Sequence, residues 1–320
     1  MSSPSMPRID RSCVATMKSP IRFLINKHVG DSVFKIALEH EKEFGTTLSN
    51  FNLIYLGQRP WEFCVNPQTR KIYVSRGAIE LIWCASLAHL LFYERLIQGK
   101  RFDKPTQIDP QSDPIVRDAM ELLRWSLNCQ LNGDNNDDWP LHLPRPIEVA
   151  SKESNENFAD ELCLVSCAFF LHHELAHLRL GHNERVNDEV SIKQEQDADI
   201  AAAKWILDGI ETTDPKFVKR MLGIVQAFLI VTSIGLYSGH LGGDTHPYSY
   251  ARLKSVLNRF QSPHSHDIKA FAFAVLDLHF QNSGRRLKKP KFDDFDQALE
   301  AICNQLAEEF EANKNVAHHD

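Results

Sequence analysis

The sequence predicts a mainly helical α+β chain with a small antiparallel sheet. From about residue 157 onward, apolar residues recur at helical spacing almost without a break. Between residues 50 and 76, three short stretches rich in β-branched and aromatic residues are separated by turn signals. With 43% hydrophobic residues, a chain of 320 residues can bury a sizeable core.

The elements follow in order. Residues 1–20 read as a flexible tail that lacks the apolar stretch of a secretory signal. Residues 21–320 read as a single domain. A helix is expected within 21–45, ending at Gly45. Strands are expected in "NLIYLG" (52–57), "WEFCVN" (61–66) and "RKIYVS" (70–75), the last two joined by a turn at "NPQT". With the apolar helix over about 78–98 that backs it, this sheet fills about 50–98.

The stretch 99–157 reads as an insertion rich in Asp, Asn and Pro. Its one clear helix is capped by Asp113, has Pro114 in its first turn and runs to about Gln130. Residues 158–255 hold the helices with candidate chemistry, and 256–320 hold the C-terminal helices. Stops are expected at Gly181 and Gly209, and starts at Asp214-Pro215 and His246-Pro247.

Composition narrows the function classes. The net charge of −6, from 42 acidic and 36 basic residues, disfavours nucleic acid as a partner. The seven cysteines are irregularly spaced and form no C-x-x-C pair, so they read as reduced thiols in a cytoplasmic protein. Two apolar runs, 78–93 and 221–237, are short for membrane spans and spotted with polar residues. Both are expected to be buried core helices, with no stable membrane span.

The candidate chemistry lies in "FLHHELAHLRLGHNER" (170–185), which contains H-E-x-x-H at His173, Glu174 and His177. Residues four apart on a helix share a face, so His173 and His177 are candidate ligands of one zinc ion, Zn2+. Glu174 lies about 100° further round, beside the metal rather than on it, as a general base would. The surrounding helix is apolar, and a metal site explains a glutamate there. His182 follows the expected helix stop and reads as a surface cap, and His172 reads as packing.

A third ligand is needed. "KQEQDADIAAAKW" (193–205) places Glu195 and Asp199 four apart, with Ala198, Ala201 and Ala202 beside them. Small residues let two helices approach closely, so Glu195 is the candidate third ligand, with Asp199 behind it to orient a ligand histidine. The large aromatics Trp83, Phe92 and Trp205 read as core.

H-E-x-x-H followed by E-x-x-x-D resembles the gluzincin metallopeptidases. "HHELAHLRLGH", "EQDADIAAAKW" and "KIYVSRGAIELIWCASLAHLLFY" resemble in particular the peptidase U49, or Lit-type phage-exclusion, family, over about residues 50 to 255. "DTHPYSYARL" (244–253) resembles the His-Pro…Arg element that follows the zinc helices in several gluzincins. The resemblance implies a zincin-like metallopeptidase domain around an H-E-x-x-H helix and a cytosolic zinc-dependent endopeptidase, with a translation elongation factor as the substrate in phage exclusion. By the same analogy His246 is the first candidate to stabilise the oxyanion, ahead of Tyr248, Tyr250 and Arg252. A protease aimed at an abundant protein must be held inactive until needed, so an activating peptide or protein is expected. Small repressor-cleaving regulatory proteases share a similar pattern and are the alternative family. A sensor that keeps the zinc fold without turnover is the non-enzyme alternative, and an intact Glu174 argues against it.

Overall fold

The computed structural model describes residues 8–10, 12–14, 17–25, 52–66, 68–69, 71–98, 113–132, 138–182, 187–238, 248–283, 287–288 and 292–317. The strands are β1 (Arg8–Asp10), β2 (Asn52–Leu56), β3 (Phe63–Asn66) and β4 (Lys71–Ser75). The helices are α1 (Ile21–Leu24), α2 (Arg76–Gln98), α3 (Pro114–Asn132), α4 (Asn155–Leu180), α5 (Asp188–Leu207), α6 (Pro215–Ser238), α7 (Ser249–Arg259), α8 (Ser265–Asn282) and α9 (Phe295–Ala317). The helix expected within 21–45 falls mostly outside the described residues.

The sheet is mixed, not antiparallel as expected. Its order is β1-β2-β4-β3, with β1 parallel to β2, β2 parallel to β4, and only β3 antiparallel to β4. The chain leaves β2 and crosses to the outer edge before β4 returns between them. Arg59 pins that crossover through a 3.1 Å ion pair with Glu80 of α2. Gly77 lets the crossover pass close, since a Cβ there would lie 1.8 Å from the Arg59 carbonyl oxygen. Two-residue register matching cannot reveal such a strand insertion, because periodicity says which face is buried and not which strand is the neighbour. Strand β1 lies within the stretch expected to be a tail.

The core is built around α2. Its residues 77–92 are buried nearly all round except Leu90, as an apolar helix without a polar face requires. It packs on α3, α4 and α8. Helix α6 is long and apolar enough to cross a membrane by length and composition, yet 67% of its apolar window is buried inside the protein. Gly223 brings α6 against α4, where a Cβ would meet Val165 at 2.4 Å, and Ser166 Oγ donates to the Gly223 carbonyl at 2.8 Å.

The polar interruptions in these helices are paired. His89 Nδ1 meets Gln226 Oε1 at 2.9 Å, and His89 Nε2 meets His279 Nε2 at 3.0 Å. Burial holds both imidazoles below the ordinary histidine range, His279 at about 4. They therefore stay neutral and act as a hydrogen-bonded clasp between α2, α6 and α8.

Candidate functional site

Helix α4 begins at Ser154, whose side chain accepts from the Asn157 N–H at 3.2 Å, and ends at Gly181 in the left-handed conformation, φ 66°. Its last two turns carry His173, Glu174 and His177. Helix α5 begins at Asn187, whose side chain accepts from the Val190 N–H at 3.0 Å. Ala198 and Ala202 are buried on α5, which packs along α4. Small side chains at those positions let Glu195 and Asp199 reach the histidines directly.

His173 Nε2 lies 3.1 Å from His177 Nε2. Glu195 bridges the pair, with Oε2 at 3.4 Å from His173 Nε2 and Oε1 at 3.4 Å from His177 Nε2. One ligand atom from each residue lies within 4.8 Å of the others. Donors at about 2.0–2.1 Å from a tetrahedral zinc stand about 3.3–3.4 Å apart, so this donor set fits the ion.

The next shell orients these donors. Asp199 Oδ1 lies 2.9 Å from His173 Nδ1, which turns Nε2 toward Glu195 and His177. Arg252 of α7 grips Asp199 at 2.7 Å through both Nε and Nη2, and its Nη2 also lies 3.2 Å from Glu195 Oε2. Among the described residues, Glu195 and Asp199 share the guanidinium of Arg252, with Glu174 lining the same cavity. Carboxylates that outnumber the guanidinium suit a cation in place of the proton on His173.

The charges shift one another. Burial opposes a charge on His173, but its contacts with Asp199 and Glu195 push its pKa up to about 9. Burial likewise opposes ionisation of Glu195 and Asp199. The histidines at Glu195, and Arg252 with His173 at Asp199, overcome it and hold both below the usual carboxylate range. Glu174 moves the other way, because burial raises it more than the neighbouring histidines lower it. A raised carboxylate is a better proton acceptor near neutral pH.

A cavity of about 510 Å³ opens onto the three donors and Glu174. Its walls are largely aromatic and apolar, with Trp61, Phe63, Phe169, Phe170 and Phe228 among them. Trp61 and Phe170 meet edge-on at 5.3 Å, and Phe63 of β3 sits 5.7 Å from Phe170. The edge strand β3 is therefore joined to the rim of the cavity.

The structure thus brings together His173, Glu174, His177, Glu195 and Asp199. His246 lies outside the described residues. Of the other oxyanion candidates, Arg252 is engaged with the carboxylates, and Tyr248 and Tyr250 stack on each other at 5.3 Å. Trp83, Phe92 and Trp205 are buried, as expected of core, and His172 packs edge-on to Trp205 at 4.7 Å.

His182 is not a surface cap on its own. Its Nδ1 lies 2.9 Å from His177 Nδ1. The cause is the helix ending: the left-handed Gly181 returns the chain so that the His182 N–H donates to the His177 carbonyl at 3.0 Å. The signal was present in the glycine stop, which brings the following residue back beside the residue five earlier.

The comparisons with known proteins give the family. The model of the family Peptidase U49 matches residues 72–274, from β4 through the site helices into α8. The chain belongs to the peptidase U49 family. This U49 peptidase is 27% identical over 271 residues to the cell death peptidase of Escherichia coli (strain K12), covering 82% of this chain and 90% of the relative. No solved structure matches it. Family and relative make the chain a protease, which acts on a protein substrate.

Proposed function

We propose that this U49 peptidase is a zinc-dependent endopeptidase with a zincin-like site. The observation that carries the reading is the convergence of His173, His177 and Glu195, with ligand atoms within 4.8 Å of one another. Imidazole nitrogens and a carboxylate at tetrahedral spacing are the donor set that zinc takes in hydrolytic sites. When bound, the ion supplies Lewis acidity and a lowered pKa for a coordinated water.

The residues of the chain do the rest. Glu174 takes a proton from the attacking water and returns it to the leaving nitrogen. Asp199 fixes the His173 ring, and Arg252 holds Asp199 and Glu195 in place. His246 remains the first candidate to donate to the developing oxyanion. An extended substrate segment fits along the outer edge of β3, with a side chain directed into the aromatic cavity.

The family resemblance extends the proposal to a cytoplasmic enzyme acting in phage exclusion by cutting a translation elongation factor, under control of an activating peptide or protein. The relative's name, cell death peptidase, supports a role for this protease in cell death.

Elemental analysis of the purified protein and of Glu195→Ala tests the metal. About one zinc per chain in the wild type, weakened in the variant, supports the site. A wild type that takes up no zinc after reloading overturns it. Incubation of the zinc-loaded protein with purified elongation factor, with and without an extract of phage-infected cells as the source of activator, and sequencing of any new N-terminus, tests the substrate and the activator together.

A further inference from the structure

Helix α3 ends at the cavity wall with Gln130 and Leu131. Apart from the histidines, the carboxylates and Arg252, Gln130 is the polar residue of that wall among the described residues. It is 8% exposed, and among the described residues neither its Nε2 nor its Oε1 has a hydrogen-bond partner. A buried amide without partners is a sustained cost that native proteins rarely carry without a use. Its seat is built: Gly77 faces it, and a Cβ at that position would stand 2.5 Å from Gln130 Nε2.

We infer that Gln130 is a specificity-determining residue that pairs with an amide of the substrate peptide. A carboxamide offers two N–H donors and one carbonyl acceptor, so its complement is another amide group. Three side-chain torsions let it turn into the cavity without moving α3. The amide comes from one of two sources, the main chain of the extended substrate or an Asn or Gln side chain. The inference rests on the endopeptidase reading above and names part of its substrate site.

The test is Gln130→Met, measured in two ways. Thermal unfolding of the ligand-free protein reads the amide alone. Removing an unpaired amide raises the midpoint by about 2 °C, the order expected for a domain of this size. Cleavage of a proteome-derived peptide mixture, read by mass spectrometry, reports use of the amide. The kcat/KM falls by about 10-fold to 100-fold. The loss is uniform across sites if the partner is main chain, and confined to sites with Asn or Gln at one fixed position if it is a side chain. A lowered midpoint overturns the inference, because the amide then holds the fold. An unchanged kcat/KM at every site overturns it as well. A wild type that binds zinc and cuts no peptide, even with an extract of phage-infected cells added as the source of activator, overturns the endopeptidase reading instead, and the unfolding shift still reports whether the amide is unsatisfied.

Discussion

Asp199 and Arg252 are joined by two hydrogen bonds of 2.7 Å, tying helix α5 to helix α7 behind the candidate metal ligands. Asp199 is 2% exposed and also touches His173, so one carboxylate couples the fold to the orientation of a ligand. Replacing it by asparagine keeps the shape and removes the charge. Asp199→Asn should fold with reduced stability and bind zinc about 10-fold to 100-fold more weakly. Competitive chelator titration measures this, and unchanged affinity would mean that Asp199 serves the fold alone.

Glu174→Gln should separate chemistry from metal binding. Glu174 is absent from the set of converging ligand atoms and lines the cavity beside it. The variant should bind zinc like the wild type and lose about 100-fold to 10,000-fold in cleavage rate. Wild-type cleavage by the variant would remove Glu174 from the reaction.

His182→Ala should weaken zinc binding by about 10-fold, and His182→Asn should recover part of the loss, because the Asn side chain can accept from His177 Nδ1. If alanine and asparagine behave alike, the 2.9 Å contact has no part in orienting His177.

The pH dependence has a definite sign. In metal-free protein the pKa of His173 is raised from 6.5 to about 9. Its protonated form then contributes stability that is complete below pH 6.5 and lost as pH rises through about 9. The depressed Glu195 and Asp199 act oppositely, so their contribution is present above the ordinary carboxylate range and lost in acid. Zinc competes with the His173 proton, so its affinity should rise across the same interval in which the metal-free protein weakens. Denaturant unfolding with and without chelator, from pH 6 to pH 9.5, checks both slopes.

Gly223→Ala tests the helix contact beneath the site. The new methyl would meet Val165 at 2.4 Å, closer than packed carbons allow. Overpacking of this kind costs about 1–3 kcal/mol, read as a lower unfolding midpoint. A neutral result would show that α4 and α6 can separate without penalty.

Much of the site was legible because its signals are local. H-E-x-x-H and E-x-x-x-D each put their ligand residues on one face of one helix, and the glycine stops marked the ends of those helices, while the polar caps Ser154 and Asn187 were found only in the structure. The sheet topology was less legible. Hairpin chemistry identified β3 and β4, but the parallel pairing of β2 with β4 depends on a crossover pinned by Arg59 and Glu80. Gln130 was read only as a helix end, because an unsatisfied amide exists only relative to neighbours that are distant in sequence.

The sequence by itself determined the helical class, the helix boundaries around the site and the identity of the candidate ligands, because helical period and capping act within a few residues. Only the tertiary structure decided that Glu195 spans both histidines, that Arg252 stands behind Asp199, that His182 meets His177 side chain to side chain, and that an aromatic cavity opens onto them. Those facts depend on how closely α4, α5 and α7 approach, and that distance is set by side-chain volume packed between elements far apart in the chain.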